Sequence, residues 1–182
     1  NGFIKFDFLG LTLLKDVENC IKRIITRETG TEPTFLEIRD WFDKHLNCRF
    51  VEQDDDTVWK HVYHQRRKTG VFQFTAEGAR RFCEDAKPTT IIELAALTAI
   101  YRPGPLRANV HKKYVKDKLR ADEIHYAHPI IKEILGPTFG HVTFQEQFML
   151  LAQKLGGFTP AESDKLRKTL VKKSLDTMGK KG

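Results

Sequence analysis

Apolar residues in this chain recur mostly at helical spacing, and alternate as in a strand in only a few short places. Residues 3–8 (FIKFDF) alternate: Ile4, Phe6 and Phe8 fall on one side, Phe3, Lys5 and Asp7 on the other. That predicts a strand with one core face and one face carrying a cation and a carboxylate. After Gly10, the positions Leu11, Leu14, Val17, Ile21, Ile24 and Ile25 form one stripe, predicting an amphipathic helix that stops at Gly30. Thr34 and Glu37 have capping-box spacing and open a helix to about Leu46. The acids Asp54, Asp55 and Asp56 suit the start of the next helix, expected from Val58 towards Arg67, because they oppose the helix dipole. Residues 71–74 (VFQF) predict a short strand and residues 75–86 another helix.

Thr90 and Glu93 repeat the capping-box spacing before a helix so uniformly apolar that it is expected to be buried. Residues 102–105 (RPGP) end it, since proline and glycine cannot continue the ladder. A basic helix follows with Lys112, Lys113, Lys116, Lys118 and Arg120, then a short helix over residues 129–135. Residues 140–144 are expected to turn into a strand, and residues 146–155 to form a helix closed by Gly156 and Gly157. Thr159, Pro160 and Glu162 then combine a cap, a first-turn proline and a third-position acid, opening a helix to about Lys173. The expected fold is therefore mainly α with a few short strands. A strand at one end and a lysine-rich stretch at the other point to a segment of a larger protein.

Charge changes this picture. The chain is +7 overall, yet residues 1–100 sum to −1 and residues 101–182 to +8. The whole basic excess lies in the second half, which either seeks phosphate or is a solvated lysine-rich surface. Cys20, Cys48 and Cys83 are too far apart for a zinc knuckle and odd in number, arguing against a disulfide framework. No apolar run reaches the ~20 residues of a membrane helix, so a cytoplasmic protein without a membrane partner is expected.

Few residues stand out for chemistry. On the last helix, Lys165, Lys168, Lys172 and Lys173 share one side, within about 140° of arc. Leu166, Leu170 and Val171 take the other side, with Arg167 among them. An arginine there either snorkels to a structural carboxylate or offers its planar fork to a phosphate. Asp7 beside Lys5 is either a solvated strand pair or one oxygen ligand for Mg2+ with a phosphate-holding lysine. The pairs His61/His64 and His125/His128 lack a second pair of ligands. No phosphate-binding glycine loop, nucleophile elbow or zinc-protease motif is present.

Seven stretches in order carry a resemblance. They are residues 3–10 (FIKFDFLG), 69–74 (TGVFQF), Glu77-Gly78 with Arg80, 97–106 (LTAIYRPGPL), 122–129 (DEIHYAHP), 144–147 (FQEQ) and 161–173 (AESDKLRKTLVKK). Together they resemble the catalytic alpha subunit of bacterial replicative DNA polymerase III, the C-family polymerases. The resemblance implies that residues 1–10 are the last strand of a nucleotidyltransferase-type palm and residues 11–182 a helical fingers domain, incomplete at its C-terminal end. It implies that Asp7 is the third of three catalytic metal-binding carboxylates, for two Mg2+ ions, the other two lying in a PDxDxD motif outside this chain. Lys5, Arg167, Lys168, Lys172 and Lys173 become nucleotide-binding residues. Arg102, Arg107, Lys112 and Lys113 become contacts to DNA phosphates. The implied partners are primer-template DNA, a deoxynucleoside triphosphate and the remaining polymerase domains, in cis or on another chain.

The sequence also departs from that family. Lys168 stands for a usual arginine, Val171 for a glycine, and Thr75-Ala76 for a common Glu-Ser. A lysine supplies charge without a bidentate fork, and the changes suit a divergent, phage-encoded member. With Asp7 as its lone family carboxylate, the chain alone is expected to be inactive. Two other readings stay open: a DNA-binding module that has lost catalysis, and one piece of a split polymerase.

Overall fold

The computed structural model describes residues 6, 8, 10–53, 55–65 and 70–179, with α-helical side chains as far as Leu170. The expected palm strand, with Lys5 and Asp7, lies largely outside those residues. Phe6 and Phe8 are described, and both are exposed and outside any regular element, their rings stacked 6.1 Å apart. The core face expected of them is absent because no partner strand exists among the described residues to form a sheet.

The chain divides into two compact units, one of residues 1–55 with 70–72, the other of residues 56–69 with 73–182. The first is a helical hairpin. Helix α1 (Thr12–Thr29) buries Ile21 from its apolar stripe and ends at Gly30, whose φ of 74° lets its N–H reach the Thr26 carbonyl. Helix α2 (Phe35–His45) opens with the expected reciprocal cap. The Thr34 hydroxyl accepts from the Glu37 N–H (3.3 Å), and Glu37 Oε2 accepts from the Thr34 N–H (2.7 Å).

The second unit holds the larger core. Helix α3 (Asp56–Val58) runs into a π-helical turn, Trp59–Tyr63, instead of continuing as the expected helix. The turn closes through the His64 N–H on the Trp59 carbonyl (2.9 Å), and His64 Nε2 donates to the Pro88 carbonyl (2.8 Å). Residues 71–74 are a turn, correcting the expected strand, because Gln73 takes a φ of 64° that no strand accommodates. Phe74 is nevertheless core, edge-on to Tyr63.

Helices α4 (Glu77–Ala86), α5 (Ile91–Ile100), α6 (Pro103–Arg107) and α7 (Val110–Leu119) then pack together. Helix α5 is buried along Glu93, Ala96, Leu97 and Ile100 only, while Ile91 and Ile92 are exposed. Its apolar composition overstated its burial. Helix α8 (Pro129–Leu135) starts at His128, whose Nδ1 accepts the Ile130 N–H (3.1 Å), and continues into a 3-10 turn, Gly136–Thr138. The strand expected in residues 140–144 is also absent. Gln147 Oε1 takes the Thr143 and Phe144 N–H groups (2.9 and 3.0 Å), which a partner strand would otherwise need. Helices α9 (Gln145–Gly156) and α10 (Pro160–Gly179) complete the unit. The result is a mostly helical chain with no strand among the described residues.

Candidate nucleotide and nucleic-acid interface

Helices α9 and α10 form a tight hairpin. Gly157, at φ 70°, ends α9 and reverses the chain. Thr159 caps α10: its hydroxyl accepts from the Glu162 N–H (3.3 Å), while Glu162 Oε2 accepts from the Thr159 N–H (2.8 Å). One turn on, fully buried Ser163 accepts from Gln153 Nε2 of α9 (2.8 Å) and donates to the Pro160 carbonyl.

Arg167 sits on this frame. Its Nε and Nη2 donate to Asp164 Oδ1 (3.0 and 2.7 Å), and its Nη1 donates to Gln145 Oε1 on α9 (2.7 Å). Lys168 Nζ pairs with the other oxygen of Asp164 (2.6 Å). Hydrogen bonds from Lys168 and Arg167 hold the Asp164 carboxyl below the usual carboxylate range. Of the two roles open to an arginine here, the structural ion pair is thus present. Lys168 itself is exposed, and Arg167 borders a pocket of about 240 Å3 with Val142, Phe144, Phe148 and Leu170. Lys172 and Lys173 lie on the same helix, but their side chains fall outside the description.

A second basic surface is carried by α6 and α7. Pro103 and Pro105 fix the short α6, with Arg102 as its N-terminal flank and Arg107 as its last residue. Asn109, at φ 55°, turns the chain into α7, where Lys112 and Lys113 lie on the outer side. All four cations are exposed and have no carboxylate partner among the described residues. Lys112 lines a cleft of about 670 Å3 with Arg81, Phe82, Tyr101 and His111.

The inner side of α7 behaves differently. Lys118 is largely buried, donating to Glu93 Oε2 (2.6 Å) and the Lys87 carbonyl (2.7 Å), with its ammonium 5.9 Å from the Phe139 ring centre. Tyr114 is wholly buried beside this pair, and its phenol is raised far above its ordinary pKa by burial and then by the Glu93 charge. His141 Nε2 donates to Asp117 at 2.8 Å. Lys118 is therefore an internal cation, although composition groups it with the others.

One histidine of each pair has a structural bond: His64 binds a carbonyl and His128 caps α8. Among the described residues no group of three His, Cys, Asp or Glu could hold a metal ion. The donor set for the implied metal site is thus not in the described part of this chain. Asp7 and Lys5 belong to the undescribed residues. Cys20, Cys48 and Cys83 form no disulfide among the described residues, and buried Cys83 donates from Sγ to the Tyr63 carbonyl (3.4 Å). No described helix is long and apolar enough to cross a membrane. Sequence reasoning missed Asp164 and Gln145 as partners of Arg167, although Asp164 stands three and four residues before two cations, the spacing at which helical ion pairs form.

The second unit thus carries two sets of cations, one fixed on a hairpin and one flanking a proline-rich corner. Residues 12–182 match the bacterial DNA polymerase III alpha subunit finger domain, and the chain belongs to that family. It is similar to the DNA polymerase III subunit alpha of Borreliella burgdorferi, at 37% identity over 180 residues, covering 97% of this chain and 14% of the relative. It is 34% identical over 177 residues to that of Aquifex aeolicus, with the same coverage of both chains. The Pseudomonas aeruginosa subunit is 32% identical over 187 residues, covering 98% of this chain and 15% of the relative. The chain thus spans about one seventh of these relatives.

Proposed function

We propose that this chain serves as the fingers of a template-directed DNA polymerase, working in the cytoplasm of a bacterial or phage-infected cell. The observation that carries the reading is Arg167, held on the α9–α10 hairpin with N–H groups to spare in a chain of the finger-domain family. In this reading Arg167, Lys168, Lys172 and Lys173 grip the triphosphate of an incoming deoxynucleotide and balance the charge that grows on the leaving pyrophosphate. Lys5 lies close to the same nucleotide. Arg102, Arg107, Lys112 and Lys113 contact backbone phosphates of primer-template DNA, which position the duplex without reading its sequence. Asp7 acts as one carboxylate of a Mg2+ site whose other ligands come from palm residues beyond this chain; when bound, the metal supplies nucleophile activation and leaving-group stabilisation.

The test is a nucleotide titration of primer extension in the complete polymerase. Arg167→Ala is expected to lower kcat/KM for nucleotide about 10- to 100-fold, the worth of a charge-assisted phosphate contact. Lys165→Ala, on the same helix, is expected to stay within about threefold. Equal losses from the two changes would count against the reading. A DNA-binding module without catalysis is the second reading, favoured by the four exposed cations that have no acidic partner among the described residues. It predicts duplex binding by the chain with no response to added nucleotide.

A further inference from the structure

The geometry points to Asp164 as the positioning residue of this nucleotide site, with Gln145 completing its hold on Arg167. This rests on the proposed role of Arg167 as a phosphate-binding side chain. A guanidinium has five N–H donors, and here three are in use. Asp164 takes the edge formed by Nε and Nη2, and Gln145 takes one hydrogen of Nη1. One N–H is left on each terminal nitrogen. Lys168 gives one of its three hydrogens to Asp164, leaving two. The group of one acid and two bases keeps a net positive charge, so Asp164 orients the cations without cancelling them.

The hold comes from two helices. Asp164 grips from one turn earlier on α10, Gln145 grips from the first residue of α9, and the Gln153–Ser163 bond ties the two helices near their other end. The plane of the guanidinium is therefore set before any phosphate arrives. A nucleotide meeting a fixed fork does not have to order a long side chain on binding. The same carboxylate fixes Lys168, which matters where a lysine replaces the more rigid arginine. A carboxylate that competed with the nucleotide would instead have to be displaced; the donors left over make that unnecessary.

The experiment uses the complete polymerase and separates nucleotide KM, kcat and primer-template affinity. Asp164→Asn is expected to raise nucleotide KM about five- to tenfold, with kcat and DNA affinity within about twofold. Asp164→Glu, which still reaches three residues along a helix, recovers most of the loss. Gln145→Ala raises KM by a smaller factor. In an Arg167→Ala background, Asp164→Asn raises KM by a clearly smaller factor, because only its hold on Lys168 remains to be lost. An unchanged or lowered KM in Asp164→Asn, with KM still raised in Arg167→Ala, overturns the positioning role alone. So does an Asp164→Asn effect that persists undiminished without Arg167, or equal falls in kcat, DNA affinity and melting temperature. If Arg167→Ala leaves nucleotide KM and kcat untouched, the reading of Arg167 fails and the inference falls with it.

Discussion

A methyl group on Gly78 would collide with the hydroxyl of Tyr101, the residue that ends α5. The glycine in the Glu77-Gly78 motif thus serves packing, and its neighbour in the 97–106 motif explains it. Gly78→Ala is expected to destabilise the protein by about 1–3 kcal/mol in denaturant unfolding, the usual cost of overpacking. Adding Tyr101→Phe should return part of that, since the two positions are coupled. Glu162 makes a different point. Its carboxyl is held below the ordinary 4.5 by the Thr159 N–H and then the Thr159 hydroxyl. A lowered folded pKa gives stability that is complete above the unfolded value and lost as pH falls through the folded one. Glu162→Gln should therefore flatten the acid limb of a helicity titration below about pH 4.5 and leave it parallel above. The cap was legible from Thr159, Pro160 and Glu162 alone, because its chemistry is local. The collision at Gly78 was not, since its other half lies 23 positions away.

Most helices were legible and the strands were not, for one reason. A helix satisfies its own backbone, so the stripe of α1 and the caps of α2, α5 and α10 sufficed to place them. A strand needs a partner, and VFQF has none because Gln73 turns the chain, while Thr143 and Phe144 spend their N–H groups on a side chain. That side chain is Gln147. Besides the two N–H groups it receives, its Nε2 donates to the Ile134 carbonyl (3.1 Å) and the Thr138 hydroxyl (2.7 Å). It is buried and satisfied at both ends. The FQEQ stretch therefore divides between a loop-organising Gln147 and a Gln145 that holds Arg167. Gln147→Ala is expected to cost about 2–4 kcal/mol by denaturant unfolding, since it strands several buried polar groups. Truncating exposed Glu146 should cost about 0.5 kcal/mol or less.

Across the molecule, the charge count needs sorting. Sequence arithmetic puts +8 on residues 101–182, yet Lys118 is folded into the core against Glu93, and Lys154, Arg167 and Lys168 are paired with acids. Only placement tells an internal cation from one facing outward, so the excess was legible while its distribution was not. Arg102, Arg107, Lys112 and Lys113, together with Lys116, are exposed on or beside α6 and α7 with no acidic partner among the described residues. Each phosphate neutralised on a duplex contributes about −0.9 to the log–log dependence of affinity on salt. Replacing the first four by alanine in the complete polymerase should therefore reduce the magnitude of that slope by about 3–4, measured by salt titration of duplex binding. A slope unchanged by the four substitutions would remove α6 and α7 from the DNA-facing surface.

The π-helical turn at Trp59–Tyr63 sets a rule about chain length. Such a turn is an α-turn carrying one residue more than the ladder requires. Deleting a single residue between Trp59 and His64 would let the same N–H and carbonyl close an ordinary α-turn, with His64 kept in place. His64 would still reach the Pro88 carbonyl it now binds at 2.8 Å. The segment carries one letter that the ladder can do without.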